Sequence, residues 1–148
     1  MNIIKYPTQT DQYHEVYRFR SEGPAGSIEK IVYYQEIGYN FFNIAFGDWD
    51  EDLQRLNEYT RSNNNDRDKI LATVAYTVFD FVKCHPHATI FAKGNTPVKT
   101  RLYQMGITKY LHTINELFEI SGFFGNKWES FVAGRNYRAF TLKAKQIL

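Results

Sequence analysis

Residues 68–92 read DKILATVAYTVFDFVKCHPHATIFA, and this stretch decides the fold class. Apolar residues return at Ile70, Val74, Val78 and Val82, with Leu71, Ala75 and Phe79 beside them. That spacing predicts a helix over 68–83 with a wide apolar stripe on one side. It stops before Pro86, whose ring disfavours helical geometry in the preceding residue. The run at 87–92 (HATIFA) is too short for a helix and reads as a buried strand. A helix that hands over to a buried strand calls for helices packed on a sheet.

Upstream, Tyr13, Tyr17 and Phe19 alternate with His14, Arg18 and Arg20, which predicts a strand over 13–20. The cluster Glu22–Gly26 is a turn; strands follow at 28–37 and, after Gly38, at 39–46. Three strands with short breaks suggest an antiparallel meander. Residues 47–65 read as a polar loop with a short helical turn around Leu53–Leu56. The cluster Asn63, Asn64, Asn65 and Asp66 then offers side-chain acceptors to the start of the first helix.

Downstream, Gly94–Pro97 breaks the chain and a second helix is predicted from Pro97 to about Ser121. Its stripe is Tyr103, Ile107, Tyr110, Ile114 and Leu117, with Thr96 as N-cap, Pro97 at the first position and Gly122 just past the end. Two last strands, 127–132 and 136–143, flank a turn at 133–136. The expected order is β-β-β-α-β-α-β-β: an α+β fold with a mainly antiparallel sheet and two packed helices. Val74, Val78, Phe79, Ile90, Ile107, Ile114 and Leu117 are the expected core.

Length and composition fit one domain over residues 1–148, with 1–11 as a loosely ordered N-terminal segment. Hydrophobic residues make up 43% and charged residues 23%, which argues against disorder. Aromatic residues are unusually frequent at 17%. The single cysteine, Cys84, excludes an internal disulfide, and it reads as a small buried hydrophobe closing the first helix. No signal peptide or run long enough for a membrane span is visible, so a cytoplasmic protein without membrane contact is expected.

Net charge is +2, but it is unevenly spread. Residues 1–65 sum to −4 and residues 66–148 to +6; from Lys93 onward 9 basic residues face 3 acidic ones. The segment Lys93-Gly94-Asn95-Thr96-Pro97-Val98-Lys99-Thr100-Arg101-Leu102-Tyr103 concentrates this sign at the start of the longest predicted helix. Backbone N–H groups and the helix dipole favour an anion there. First turns ordinarily carry Asp or Glu, whereas this one carries Lys99 and Arg101 and meets no acid until Glu116. Lys93, Gly94, Asn95, Thr96, Lys99, Arg101 and Tyr103 are therefore the candidate ligand-binding residues. The plainer alternative is a good helix start whose cations point into water. Neither a Walker A loop nor G-x-G-x-x-G is present.

Other patterns are weaker. Asp48, Asp50 and Asp52 open like a calcium loop, but Leu53 stands at the sixth position and Tyr59 at the twelfth, which leaves a solvated acidic loop. Cys84, His85 and His87 lie close in sequence but lack the second ligand pair of a structural zinc site, while His14 and His112 have no patterned partner. No metal site, catalytic residue or cofactor is expected. The last hairpin interleaves Arg135, Arg138, Lys143 and Lys145 with Tyr137 and Phe140, a pattern that suits base stacking or, equally, a sheet–helix core.

The strings FGD at 46–48, NNNDRDKILATVAYTVFDF at 63–81, KGNTPVKTRLYQMGI at 93–107 and ESFVAGRNYRAF at 129–140 resemble a family of short bacterial proteins, a domain of unknown function. The likeness covers about 12–145 and implies no activity and no site residues. We expect a binding module rather than an enzyme, its ligand a nucleic acid or a phosphate-bearing small molecule at the strand-to-helix junction. The alternative is a protein partner, as in one component of a toxin–antitoxin or defence pair, where surplus aromatics would serve an interface.

Overall fold

The computed structural model describes residues 4–58 and 63–146, and among them lie nine strands and three helices. In chain order these are β1 (Gln9–Thr10), β2 (Val16–Gly23), β3 (Gly26–Gly38), β4 (Phe41–Asp50), β5 (Arg55–Asn57), α1 (Arg67–Cys84) and β6 (Thr89–Ala92). Then follow α2 (Pro97–Lys109), α3 (Leu111–Leu117), β7 (Phe118–Phe124), β8 (Lys127–Ser130) and β9 (Phe140–Ala144). The class is α+β and pairing is mostly antiparallel; β4 and β6 run parallel. The chain divides into two compact units: Met1–Tyr34 with Ala45–Cys84, and Gln35–Ile44 with His85–Leu148. No helix among the described residues is long and apolar enough to cross a membrane.

In the first unit β1, β2 and β3 form an antiparallel meander, with Tyr17 opposite Val32 and Phe19 opposite Lys30. The inward side chains are largely aromatic, which accounts for part of the aromatic surplus. Tyr34 stacks on Phe81 of α1 at 4.1 Å, and Phe19 lies between Tyr6 and Phe46. The buried face of α1 is not the valine stripe. Ile70, Leu71, Ala72, Thr73, Ala75, Thr77 and Phe81 are buried, whereas Val74, Val78 and Phe79 are only half-buried. The face is turned because Thr73 and Thr77 satisfy their hydroxyls on Lys69 and Val74 carbonyls of their own helix, at 2.7 Å each. Thus satisfied, they enter the core, where Thr73 accepts from the Tyr6 N–H and Thr77 bonds the Tyr34 hydroxyl.

The loop expected over 47–65 is partly sheet. β4 runs on to Asp50 and pairs with β5, so no helical turn forms at Leu53–Leu56; residues 59–62 lie outside the described part. Asp48 is buried rather than solvated, because the Lys30 ammonium, also buried, is bonded to it. The Asn64 and Asp66 side chains turn to the meander instead of capping α1. Asn64 holds the β2–β3 turn through Ala25 and Gly26, and Asp66 accepts from the Tyr6 and Ser21 hydroxyls.

In the second unit the strand order is β4-β6-β9-β7-β8. One sheet face is buried across β4, β6, β9 and most of β7: Phe42, Ile44, Ile90, Ala92, Phe118, Ile120, Phe140, Leu142 and Ala144. Tyr103, Ile107 and Ile114 of the helices complete that core. The single long helix expected from 97 to 121 is instead α2, a break at Tyr110, the short α3, and then β7. From Phe118 onward burial alternates, and the backbone pairs with β9. That two-residue period wins over the helical one, and two expected helices become three. Gly122 therefore sits inside a strand, where a Cβ would stand 2.3 Å from the Tyr137 ring. Leu117, expected in the core, is 38% exposed, while Ile114 is 4% exposed. Accordingly, Ile114→Ala should cost ~2–5 kcal/mol and Leu117→Ala under ~1 kcal/mol in urea unfolding. Equal losses would contradict this placement.

Candidate functional site

The strand-to-helix junction after β6 is built as its sequence suggests. Thr96 is extended (φ −136°, ψ 158°), and its Oγ1 accepts the Lys99 N–H at 3.2 Å, with Pro97 opening the helix. The Gly94 N–H donates to Thr100 Oγ1 at 2.9 Å. A Cβ on Gly94 would lie 2.4 Å from the Thr100 nitrogen, so glycine is required for the chain to lie against the first turn of α2. The Gly94 and Lys99 N–H groups are thus used within the protein.

Lys93, Asn95 and Arg101 are exposed, and Thr96 and Lys99 are half-buried. The first turn contains no acid. Tyr103, by contrast, is 8% exposed and belongs to the core of the second unit. The junction thus presents three cations around a rigid, self-capped turn.

The side chains of the other face of the second unit's sheet are half-buried or exposed. Strand alternation directs Phe41, Asn43, Thr89, Phe91, Thr141, Lys143, Glu119, Ser121, Phe123, Trp128 and Ser130 to it, none of them buried. Four rings form a continuous row. Phe41 and Phe91 are 6.0 Å apart, Phe91 and Trp128 6.3 Å, and Trp128 and Phe123 5.3 Å between centroids. Trp128 is 45% exposed. Lys143 is an exposed cation of this face, with Glu119 across from it. Phe91 precedes Lys93 by two residues, so chain continuity joins the row to the junction.

The hairpin aromatics considered for stacking are elsewhere. Tyr137 and Phe140 are 5% and 0% exposed and fill the core. Burial and the hydrogen-bonded Glu129 carboxylate push the Tyr137 phenol up, so it remains neutral. Arg135 is held by Glu129 at 2.9 Å and covers the Phe124 ring. Lys145 donates to the Asn115 carbonyl, and Arg138 is exposed. The row that sequence reading missed did leave a signal: aromatics alternating with Ser, Thr or Asn at 41–43, 89–91 and 121–123. An outward aromatic beside an outward hydroxyl or amide marks a strand face that is not closed.

The chain belongs to a family of unknown function, DUF6934, whose family model matches residues 2–145. No curated protein and no solved structure matches it.

Proposed function

We propose that this member of the DUF6934 family is a binding module for an anionic ligand, and that the ligand is single-stranded nucleic acid lying across the open sheet face of the second unit. The observation that carries the proposal is the row Phe41, Phe91, Trp128 and Phe123, four neighbouring rings on one face, three of them half-buried and Trp128 exposed. Successive bases stack on such rings without sequence preference, each worth ~1–3 kcal/mol. A small phosphate compound would need the charged junction alone and would leave the row without a role.

Within the proposal, Lys93, Lys99 and Arg101 contact phosphates with the exposed Asn95 beside them, Gly94 and Thr96 hold the turn in shape, and Tyr103 anchors α2 in the core. The +6 balance of residues 66–148 favours the same class of ligand. These are contacts of binding and orientation, and the role proposed is that of a binding module.

Titration of fluorescently labelled DNA and RNA single strands of about 12 nucleotides tests the proposal. Affinity should fall as salt rises, and a Lys93→Ala, Lys99→Ala, Arg101→Ala variant should show a shallower slope, by roughly 0.7 for each phosphate no longer neutralised. Binding of a protein partner in place of oligonucleotides would instead support the interaction-component alternative.

A further inference from the structure

A second cluster lies in the first unit and is independent of the open sheet face. His14, in the turn before β2, stands beside Asp80 and Cys84 on the last turn of α1, and one donor atom from each lies within 4.8 Å of the other two. Asp80 and Cys84 are four residues apart on a helix, so they share a face. The sequence predicts a buried Cys84, yet it is exposed, because the end of α1 turns it outward beside His14. We propose that His14, Asp80 and Cys84 bind a zinc ion, with the fourth coordination position open to solvent.

The donor set selects the ion. A thiolate, an imidazole and a carboxylate together suit a borderline-soft divalent metal, whereas calcium and magnesium take oxygen donors. Zinc–ligand bonds of ~2.0–2.3 Å place ligand atoms around one ion roughly 3.3–3.8 Å apart, so small side-chain adjustments close the site. The surroundings hold the ligands in place. Tyr17, 1% exposed, donates its hydroxyl to Asp80 Oδ2 at 2.7 Å, the same oxygen that meets His14 Nδ1 at 2.7 Å. Asp11 Oδ1 accepts the Glu15 and Val16 N–H groups, which fixes the turn that carries His14. The histidines adjacent in sequence to the cysteine are not part of the cluster: His85 packs on Phe42 and His87 is exposed. A zinc ion here runs against the expectation of a chain without metal, which found no patterned partner for His14.

The test uses the reduced full-length protein, with zinc binding measured by competition against a chromophoric chelator and cobalt(II) added as a spectroscopic probe. One zinc per chain should bind, and the cobalt form should show thiolate-to-metal charge-transfer absorption. Cys84→Ser, at an exposed position, should keep the melting temperature of the metal-free protein, lose that absorption and bind zinc at least tenfold more weakly. Tyr17→Phe, which removes only the hydroxyl that positions Asp80, should weaken zinc by about 10–100-fold. A His85→Ala, His87→Ala variant should bind as the parent does. The proposal is overturned if the parent binds no stoichiometric zinc, if Cys84→Ser binds it undiminished, or if the His85→Ala, His87→Ala variant loses it.

Discussion

An Asp48→Ala variant is expected to lose ~3–5 kcal/mol of stability, because it leaves the Lys30 ammonium in the core without its carboxylate. Lys30 and Asp48 are 5% and 8% exposed and hydrogen-bonded to each other, and the Lys30 ammonium also lies 5.9 Å from the Phe46 ring. Removing one charge of a buried pair costs more than removing both, since the survivor cannot recover its hydration. The double change Lys30→Met with Asp48→Leu should therefore regain most of the loss. Trp49, the neighbour of Asp48, is the only tryptophan of the first unit, so a Trp128→Phe background reads this unit by fluorescence. A single Asp48→Ala variant as stable as the parent would show that the pair is not desolvated.

Phe140→Ala should cost a similar ~3–5 kcal/mol, for a different reason: a cavity. Phe140 is 0% exposed on β9, which pairs with β6 on one side and β7 on the other, and its ring meets Phe131 and Tyr137. Strands paired on both sides hold the backbone in register, so the surroundings cannot collapse into the space. Urea unfolding in a Trp49→Phe background, read by Trp128, measures the loss in the second unit. A loss under ~1 kcal/mol would place the Phe140 ring outside the core.

These two residues also show how far the sequence could be read. Phe140 sits in a segment whose aromatics fitted both a core and a stacking surface; pairing register alone decides between them, and register is set by strands distant in sequence. Asp48 stands in a run of acids that composition assigns to water, and its burial depends on Lys30, eighteen residues earlier. The α+β class, the first helix and the Thr96–Pro97 helix start were legible because they rest on local rules: periodicity, a proline stop and a side-chain cap. The end of the second helix was not. Tyr110 breaks it with no glycine or proline to mark the place, and Phe118–Phe124 satisfies both a helical stripe and a strand alternation until β9 supplies a partner.

The candidate site divides in the same way. The cations at Lys93, Lys99 and Arg101 could be picked out from the sequence, because like charge at a helix start is locally unfavourable. The row Phe41, Phe91, Trp128 and Phe123 could not, because it assembles from four strands. Likewise His14 had no patterned partner, since Asp80 lies sixty-six residues away.

Quenching of Trp128 in a Trp49→Phe background, titrated with single-stranded DNA and RNA of about 12 nucleotides, tests the proposed function most directly. Stacking on the open face predicts saturable quenching that weakens with salt. It also predicts a loss of roughly 5–150-fold in affinity for Phe91→Ala, measured with labelled strands, at ~1–3 kcal/mol per base. Unchanged Trp128 emission on adding either strand, or binding untouched by Phe91→Ala, would contradict it.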